Sequence, residues 1–313
     1  MLIPILMLIA AILILYFGAE FSLEGSEKIG QKLGLSPLVI GMLLIGFGTS
    51  LPEFFVGHIA GAQDNVGIAV GSLVGSNIAN MFLILGICGL FTRMELKNKT
   101  IRDQLVVHFI LGLALWFVLT RDSLNVLTAM PLIAVCGAYL FLLYKDFKNE
   151  DESKLVTPME DFKPALIIFK LFAGFGMLYL GGELLVKSGI ELCQLLGVKE
   201  YIVSAIFIAF GTSFPELVTA LLASIKKKET DLIIGNIVGS NLFNCAFILG
   251  SLGIYDFRFE DSFYIEIGAL IFGAALLLLL SFFKRAFYRL SGFVFFLTYI
   301  LVVYSWTKEG GLS

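Results

Sequence analysis

Apolar runs long enough to cross a lipid bilayer recur along nearly the whole chain of 313 residues. A transmembrane helix needs about 20 predominantly apolar residues. The chain is 58% hydrophobic and 15% charged, with a mean hydropathy of +0.93, whereas soluble domains are about 45–50% apolar and about 25% charged. We therefore predict an all-α membrane protein with ten transmembrane helices, at 2–29, 36–61, 66–91, 102–120, 124–144, 164–190, 198–225, 231–254, 262–283 and 287–306.

One long polar stretch, Lys145 to Lys163, divides the ten predicted spans into five and five. We expect a first half at 1–144, a short linker at 145–163 and a second half at 164–306. The apolar run that opens the chain has no positive segment before it and no small-x-small cleavage site after it. We therefore interpret it as the first membrane helix and not as a signal peptide.

The basic residues of the predicted loops are unequally distributed. With the N-terminus outside, sixteen of the 22 Lys and Arg residues fall in inside loops and five in outside segments. This bias follows the positive-inside rule. We expect a multi-pass protein of the cell membrane with both termini outside and the 145–163 loop in the cytoplasm. A net charge of −3 without a basic stripe argues against a nucleic-acid partner.

The two halves of the chain repeat each other in sequence. Thirteen residues between Tyr16 and Glu53 recur 163 positions later, and the run GSLVGSNIANMFLILG from Gly71 returns as GNIVGSNLFNCAFILG from Gly235. Five spans separate equivalent positions. Because five is odd, the two halves must enter the membrane in opposite senses. The prediction is two inverted-topology repeats of five helices, an architecture typical of secondary transporters.

Each repeat places one carboxylate inside an apolar span, Glu53 in the second span and Glu216 in the seventh. An ionised side chain at that depth costs about 2.5–3.5 kcal/mol on insertion scales, so intramembrane acids usually have a function. The turn before each Glu carries two hydroxyl residues: Thr49 and Ser50, and Thr212 and Ser213.

A proline interrupts each of these turns. Pro52 and Pro215 have no N–H for the carbonyl four residues before them. Free backbone oxygens at membrane depth are tolerated where they line a cavity or meet an ion. Gly46 allows close backbone approach before the first break, and Ala209 stands at the equivalent position of the second repeat.

The third and eighth spans supply a second polar wall. Four side chains lie in pairs, four residues apart, on one face of each helix: Ser76 and Asn80, and Ser240 and Asn244. We expect these four to be ion ligands. For their neighbours Asn77 and Asn241, one step round the helix, interhelical hydrogen bonds and ion ligation both fit the sequence.

The collected donors are carboxylate, hydroxyl, amide and backbone oxygens, with no His or Cys at matching repeat positions. Hard oxygen ligands suit Ca²⁺ and Na⁺ and disfavour zinc or copper. We therefore expect Ca²⁺ and Na⁺ as the ions that this chain handles, the lipid bilayer as its surroundings, and no resident cofactor.

The paired motifs GTSLPE and GTSFPE, each followed by a GSxxGSN or GNxxGSN helix, resemble the α-1 and α-2 repeats of the sodium/calcium exchanger family, within the calcium/cation antiporter superfamily. On this chain the motifs span 46–86 and 209–250. The resemblance covers most of the chain. It implies a transporter and not an enzyme, with ten helices in two inverted halves and ions bound by helices two, three, seven and eight. The expected reaction is the electrogenic exchange of three Na⁺ for one Ca²⁺.

For individual residues the resemblance implies a cluster of four cation sites. Glu53 and Glu216 would be central, with the backbone oxygens of Thr49 and Thr212 on Ca²⁺. The Na⁺ sites would be faced by Ser50, Ser76, Ser213 and Ser240 and by the carbonyls of Gly46 and Ala209.

Two features separate this chain from some members of that family. Some prokaryotic and potassium-dependent relatives carry Asp where this chain has Asn244. Here Asn80 and Asn244 are both amides, as in the animal sodium/calcium exchangers, which disfavours coupling to K⁺. The linker is also too short to hold the calcium-sensing regulatory domains of the animal proteins.

Three alternatives use other chemistry. A Ca²⁺/H⁺ antiporter could use the same two Glu residues, although its helix-two motif in this superfamily is typically GNxxE-like. An ion channel usually builds its selectivity elements from several subunits, whereas one chain here holds a complete two-fold pair. An intramembrane protease would need a nucleophile with a base, or an HExxH motif. No such motif is present, and His58 and His108 have no repeat partners.

Overall fold

Long apolar helices separated by short turns make up most of the structure, a computed structural model that describes residues 2–32, 48–97, 99–148, 163–225, 230–259 and 262–309. The helices before the linker are α1 (Leu2–Lys32), α2 (Leu51–Ala62), α3 (Val66–Ile78), α4 (Leu85–Phe91), α5 (Lys99–Leu119) and α6 (Val126–Lys148). The helices after the linker are α7 (Pro164–Leu196), α8 (Glu200–Val203), α9 (Ala209–Thr212), α10 (Phe214–Ile225), α11 (Thr230–Leu242), α12 (Tyr264–Phe282) and α13 (Arg289–Glu309).

Three π-helical segments interrupt these helices. Ala79–Ile84 joins α3 to α4, Ser204–Ile208 joins α8 to α9, and Phe243–Leu249 continues α11. The π-helix is rare and appears frequently at functional sites. The first and third segments contain Asn80 and Asn244, so both predicted ligands lie where the helix widens.

Eight helices among the described residues are long and apolar enough to cross a membrane, and they coincide with eight of the ten predicted spans. Many of their apolar side chains remain exposed, Leu127 at 81% for example, as suits a lipid-facing surface. The chain is therefore a multi-pass, helical membrane protein. The other two predicted spans have separate explanations. Residues 36–47, nearly all of the first half of span two, lie outside the described residues, and span seven is divided at Ser213 into α8–α9 and α10.

The helices α1 and α7 cross closely through glycines. Gly18 lies against Gly174, and further along the pair Gly181 lies against Leu15, so the two helices run antiparallel. A Cβ added to Gly174 would lie 2.4 Å from Ser22 Oγ and 2.8 Å from the carbonyl oxygen of Gly18. Between helices in lipid there is no hydrophobic driving force, so close van der Waals packing at small residues holds such pairs together.

Glycine contacts also join the third span of each half to the other half. Gly86 on α4 packs against the backbone of Phe296 on α13. Gly250, 164 positions later, packs against Ile133 on α6. The third span of each half therefore lies against the last span of the other half.

Two short antiparallel ribbons repeat this exchange. Strand β1 (Met94–Glu95), which follows α4, pairs with β4 (Ala286–Phe287), which precedes α13. Strand β2 (Ser123–Leu124), which precedes α6, pairs with β3 (Phe257–Arg258), which follows the eighth predicted span. Each ribbon pairs the segment after the third span of one half with the segment before the last span of the other half.

Substituting Gly174 by Ala should lower thermal stability in detergent, because the new methyl group has no room against α1. Overpacking of this kind typically costs about 1–3 kcal/mol. Gly176→Ala, on the same helix, is the matched control, since a Cβ at this position would meet no atom within 4 Å. Equal melting temperatures for the two variants would contradict the close crossing of α1 and α7.

Candidate functional site

Two helix breaks at equivalent repeat positions organise the site. Ser50 (φ −88°, ψ 5°) immediately precedes α2, and Ser213 (φ −81°, ψ 6°) separates α9 from α10. Glu53 and Glu216 lie in the first turn of the helix that follows each break. The positive end of a helix dipole favours a negative charge at that position. Each break lies two residues before the proline of its repeat, Pro52 or Pro215.

Ser76 is the centre of a hydrogen-bond network between the two halves. Its hydroxyl donates to Glu53 Oε1 at 2.9 Å, and it accepts from Ser213 Oγ at 2.6 Å and from Asn244 Nδ2 at 3.3 Å. A hydroxyl has one proton and two lone pairs. The three contacts therefore use all of its capacity.

The second carboxylate has a related environment. The hydroxyl residues Thr49 and Ser240 lie near Glu216 without hydrogen-bond geometry to either of its oxygens, and their own Oγ1 and Oγ atoms lie 3.2 Å apart. Glu53 in turn interacts with Thr212 and with Ser213, as well as with Ser76. Each carboxylate is therefore surrounded by hydroxyl groups from both halves of the chain.

The structure buries nearly all the residues that the sequence singled out: Thr49, Ser50, Glu53, Ser76, Asn80, Thr212, Ser213, Glu216, Ser240 and Asn244. Side-chain contacts join eight of them into one cluster, and Ser50 and Asn80 are buried on the same elements without a described contact to it. Gly46 lies outside the described residues. The carbonyl of Ala209 accepts both the Ser213 N–H at 3.0 Å and the Thr212 hydroxyl at 3.2 Å, so its two lone pairs are already occupied.

Many oxygen atoms of this cluster have no hydrogen-bond partner among the described residues. They are Ser50 Oγ, Glu53 Oε2, Asn77 Oδ1, Asn80 Oδ1, Glu216 Oε1, Glu216 Oε2, Asn241 Oδ1 and Asn244 Oδ1. Leaving a buried acceptor unpaired costs about 1–3 kcal/mol, and more for a charged group. One donor of this region, Asn80 Nδ2, is also unpaired among the described residues, but oxygens outnumber it eight to one. Such an excess of buried acceptors is suited to a positively charged ligand.

Asn77 and Asn241 link the third and eighth spans to each other. The Asn241 amide donates to the backbone carbonyl of Asn77 at 3.3 Å, and the Asn77 amide donates to the Cys245 thiol. Of the two roles compatible with the sequence, the geometry supplies the interhelical hydrogen bonds directly. Their side-chain oxygens remain available on the other side.

Sequence reasoning missed a third buried carboxylate, Glu266, which is 2% exposed in the first turn of α12. It accepts hydrogen bonds from Tyr201 and Trp306. An acid at the start of an apolar run normally indicates a membrane interface, so Glu266 does not stand out in the sequence. The two donors lie 65 and 40 residues away, so no local spacing pattern indicates the contact.

Replacing Ser76 by Ala should destabilise the protein by about 1–3 kcal/mol, because Glu53, Ser213 and Asn244 would each lose a buried partner. Ser72→Ala is the matched control. Ser72 is equally buried on the same helix, but the hydrogen bond described for it is to the carbonyl of Ala69 within α3. Denaturation of the two variants in cation-free detergent should separate them, and similar losses would remove Ser76 from the centre of the network.

Comparison with known proteins identifies the family of the chain. The model of the sodium/calcium exchanger protein family matches residues 3–145 and 166–308, nearly all of both halves. The sodium/calcium exchanger MaX1 of Methanosarcina acetivorans is 27% identical over 289 residues, covering 80% of this chain and 82% of that protein. The inner membrane protein YrbG of Escherichia coli is 28% identical over 261 residues, covering 80% and 79%.

Solved structures have the same fold. The sodium-calcium exchanger NCX_Mj, soaked with 2.5 mM Na⁺ and 0.1 mM Ca²⁺, superposes with a TM-score of 0.67 over 97% of this chain and 98% of that chain, at 23% identity. Transport by antiport, and not enzymatic catalysis, is the activity of the matched family. The chain belongs to the sodium/calcium exchanger family of calcium/cation antiporters.

Proposed function

We propose that this antiporter exchanges Na⁺ for Ca²⁺ by alternating access and that the buried cluster around Glu53 and Glu216 is its cation site. The carrying observation is the set of eight buried oxygens without hydrogen-bond partners among the described residues. The name of MaX1, a sodium/calcium exchanger, supports the choice of the two ions.

Within the cluster, the two carboxylates hold Ca²⁺ between them. The backbone oxygens of Thr49 and Thr212 are further calcium ligands in this proposal. The amide oxygens of Asn80 and Asn244 are also suited to the ion, because both are buried and unpaired among the described residues. Ca²⁺ takes six to eight oxygens, a number that this set can supply.

The sodium ligands are the serine hydroxyls at the two breaks and on the third and eighth spans: Ser50, Ser213, Ser76 and Ser240. Ser50 Oγ is already unpaired among the described residues. Ser76 must exchange hydrogen bonds for ion contacts, and the carbonyl of Ala209 must do the same. Gly46 is the proposed equivalent of Ala209 in the first half.

The charge of the cluster favours an electrogenic cycle. Two ionised carboxylates are neutralised by one Ca²⁺, whereas three Na⁺ leave one positive charge. We infer an exchange of three Na⁺ for one Ca²⁺, which moves one net charge in each cycle.

The same proposal includes ten membrane helices in two inverted repeats of five, at 1–144 and 164–306, with both termini outside the cell and the 145–163 loop in the cytoplasm. The antiparallel crossing of α1 with α7 supports opposite insertion of the first span of each half. Successive glycines of α3 contact successive residues from α8 to α9, so these helices run parallel. Parallel helices are expected for spans three and seven, because both are odd-numbered and cross the membrane in the same direction.

Glu53→Gln and Glu216→Gln should each reduce calcium transport by at least about tenfold, because each removes half of the negative charge facing Ca²⁺ and contacts to charged groups are worth about 1.5–3 kcal/mol. The measurement is radiolabelled calcium uptake into Na⁺-loaded proteoliposomes. Glu183→Gln is the control, since this carboxylate on α7 is exposed and accepts a hydrogen bond from the Gln63 side chain. Near-normal uptake by either central variant, purified as a single species, would refute the proposed site.

An outward Na⁺ gradient should drive calcium uptake, and the uptake rate should respond to membrane potential. One net charge per cycle is worth about 2.3 kcal/mol per 100 mV. Proteoliposomes loaded with Na⁺, K⁺ or choline at fixed pH separate the coupling ions, and a potential set by valinomycin tests the net charge. Uptake driven by a pH gradient without Na⁺ would instead identify a Ca²⁺/H⁺ antiporter, and uptake indifferent to potential would exclude the three-to-one ratio.

A further inference from the structure

A cavity of about 670 Å³ opens at the end of the molecule where α2 ends and α8 begins. Its wall carries acidic and basic side chains beside Gly67, Tyr201 and Phe263: Asp64, Glu200, Asp256, Lys199 and Arg258. In the proposed orientation this is the outer side of the membrane. The cavity is large enough to hold hydrated ions, but it does not reach the cluster of Glu53 and Glu216, whose side chains are fully buried.

Close backbone packing separates the cavity from the cluster. A Cβ added at Gly67 would lie 3.1 Å from the backbone nitrogen of Tyr201. At Gly71 it would lie 2.9 Å from the carbonyl oxygen of Tyr201, and at Gly75 it would lie 2.5 Å from the carbonyl oxygen of Ala205. The segment from α8 to α9 therefore lies directly on α3 along three successive turns.

This contact also contains a hydrogen bond. Ser204, which is fully buried, donates its hydroxyl to the backbone carbonyl of Ile68 at 3.0 Å. From Gly67 at the cavity to Ser76 in the cluster, α3 rises about 14 Å at 1.5 Å per residue. Among the described residues, this contact of α3 with the segment from α8 to α9 closes the direct route along α3 from the cavity to the cluster.

The cavity end of that segment is fastened by Glu266. Tyr201 Oη donates to Glu266 Oε1 at 2.7 Å, and Trp306 Nε1 donates to the same oxygen at 2.6 Å. The Tyr201 ring also contacts Phe263 edge-on, with 5.4 Å between ring centroids. One buried carboxyl group thus joins the start of span seven to spans nine and ten.

We propose that Glu266 is a positioning residue for transport, which holds Tyr201 and the start of span seven against α3 and so keeps the outer path to the ion cluster closed. The inference rests on the proposed function, in which ions reach the cluster from this cavity. Release of the Glu266 contact accompanies opening of the path.

Thiol labelling tests this position directly. Ser204→Cys places a nearly isosteric thiol inside the packed contact, where a membrane-impermeant, positively charged methanethiosulfonate reaches it only when the path opens. The same protein without Ser204→Cys gives the background from the native cysteines, all four of which are buried. Labelling is measured without transport, so a failure of Na⁺/Ca²⁺ exchange would not affect this experiment.

Tyr201→Phe removes one hydrogen bond to Glu266 and should raise the labelling rate of Cys at position 204 about tenfold. Glu266→Ala should raise it at least as much. Glu266→Gln keeps an acceptor oxygen and should restore a rate near that of the parent. Tyr299→Phe on α13, the helix that carries Trp306, is the control for loss of a tyrosine hydroxyl and should have no effect.

Tyr201→Phe and Glu266→Ala combined should label no faster than Glu266→Ala alone, because both substitutions break the same contact. An unchanged rate in Tyr201→Phe protein with parental melting temperature would overturn the proposal. So would equal acceleration by Tyr299→Phe, because this would indicate general loosening of the fold. Should Glu266→Ala fail to fold, the comparison of Tyr201→Phe with Tyr299→Phe still decides the question.

Discussion

Two carboxylates buried next to unpaired oxygens are the physical constraint on which the architecture depends. Removing an ionised carboxylate from water is expensive unless an opposite charge or several hydrogen bonds replace the solvent. Around Glu216 the described residues leave both oxygens unpaired, and around Glu53 they leave one. A cation can offset that cost, and the protein is then least strained when the site is filled. A transporter benefits from this property. Because an empty site is energetically unfavourable in the membrane, it favours the binding of an ion before the protein changes conformation.

The helix breaks and the glycine contacts follow from the same constraint. Carboxylates, hydroxyls and backbone oxygens must converge on a small volume from four spans, and continuous helices with large side chains would keep them apart. The breaks at Ser50 and Ser213 redirect the chain at that point. Gly75 lets α3 approach Ala205 closely enough that Ser76 and Ser213 share a hydrogen bond. Polar convergence in lipid is therefore achieved through small residues and local loss of regular helix.

The candidate site could be predicted from the sequence where the internal repeat and the helical period mark its residues. Glu53 and Glu216 stand out because acids are rare in apolar runs, and the recurrence of their surroundings after 163 residues makes chance unlikely as an explanation. The helical period puts the pairs of Ser and Asn four residues apart on one helix face, and all four residues are buried.

Other features depend on tertiary packing that no local pattern contains. The contact of Ser76 with Ser213 joins residues 137 positions apart. The π segments widen the helix at Asn80 and Asn244, although an ideal helical period fits both sequences equally well. The Ala209 carbonyl belongs to a helix end whose hydrogen bonds are set by the geometry of the break. Glu266 has partners on two other spans, and its role emerges only when those spans are assembled.

The exchange of final spans between the halves has a consequence for how the protein is made. In the ribbon of β1 with β4 and the contact of Gly86 with Phe296, the third span relies on α13, which is synthesised much later. During translation, that span lacks its packing partner α13 until about two hundred further residues have been synthesised. The first half is thus an incomplete product, whose glycine surface stays open to lipid or to the wrong helix. A chain that stops before α13 would therefore expose the Gly86 surface of its third span to lipid.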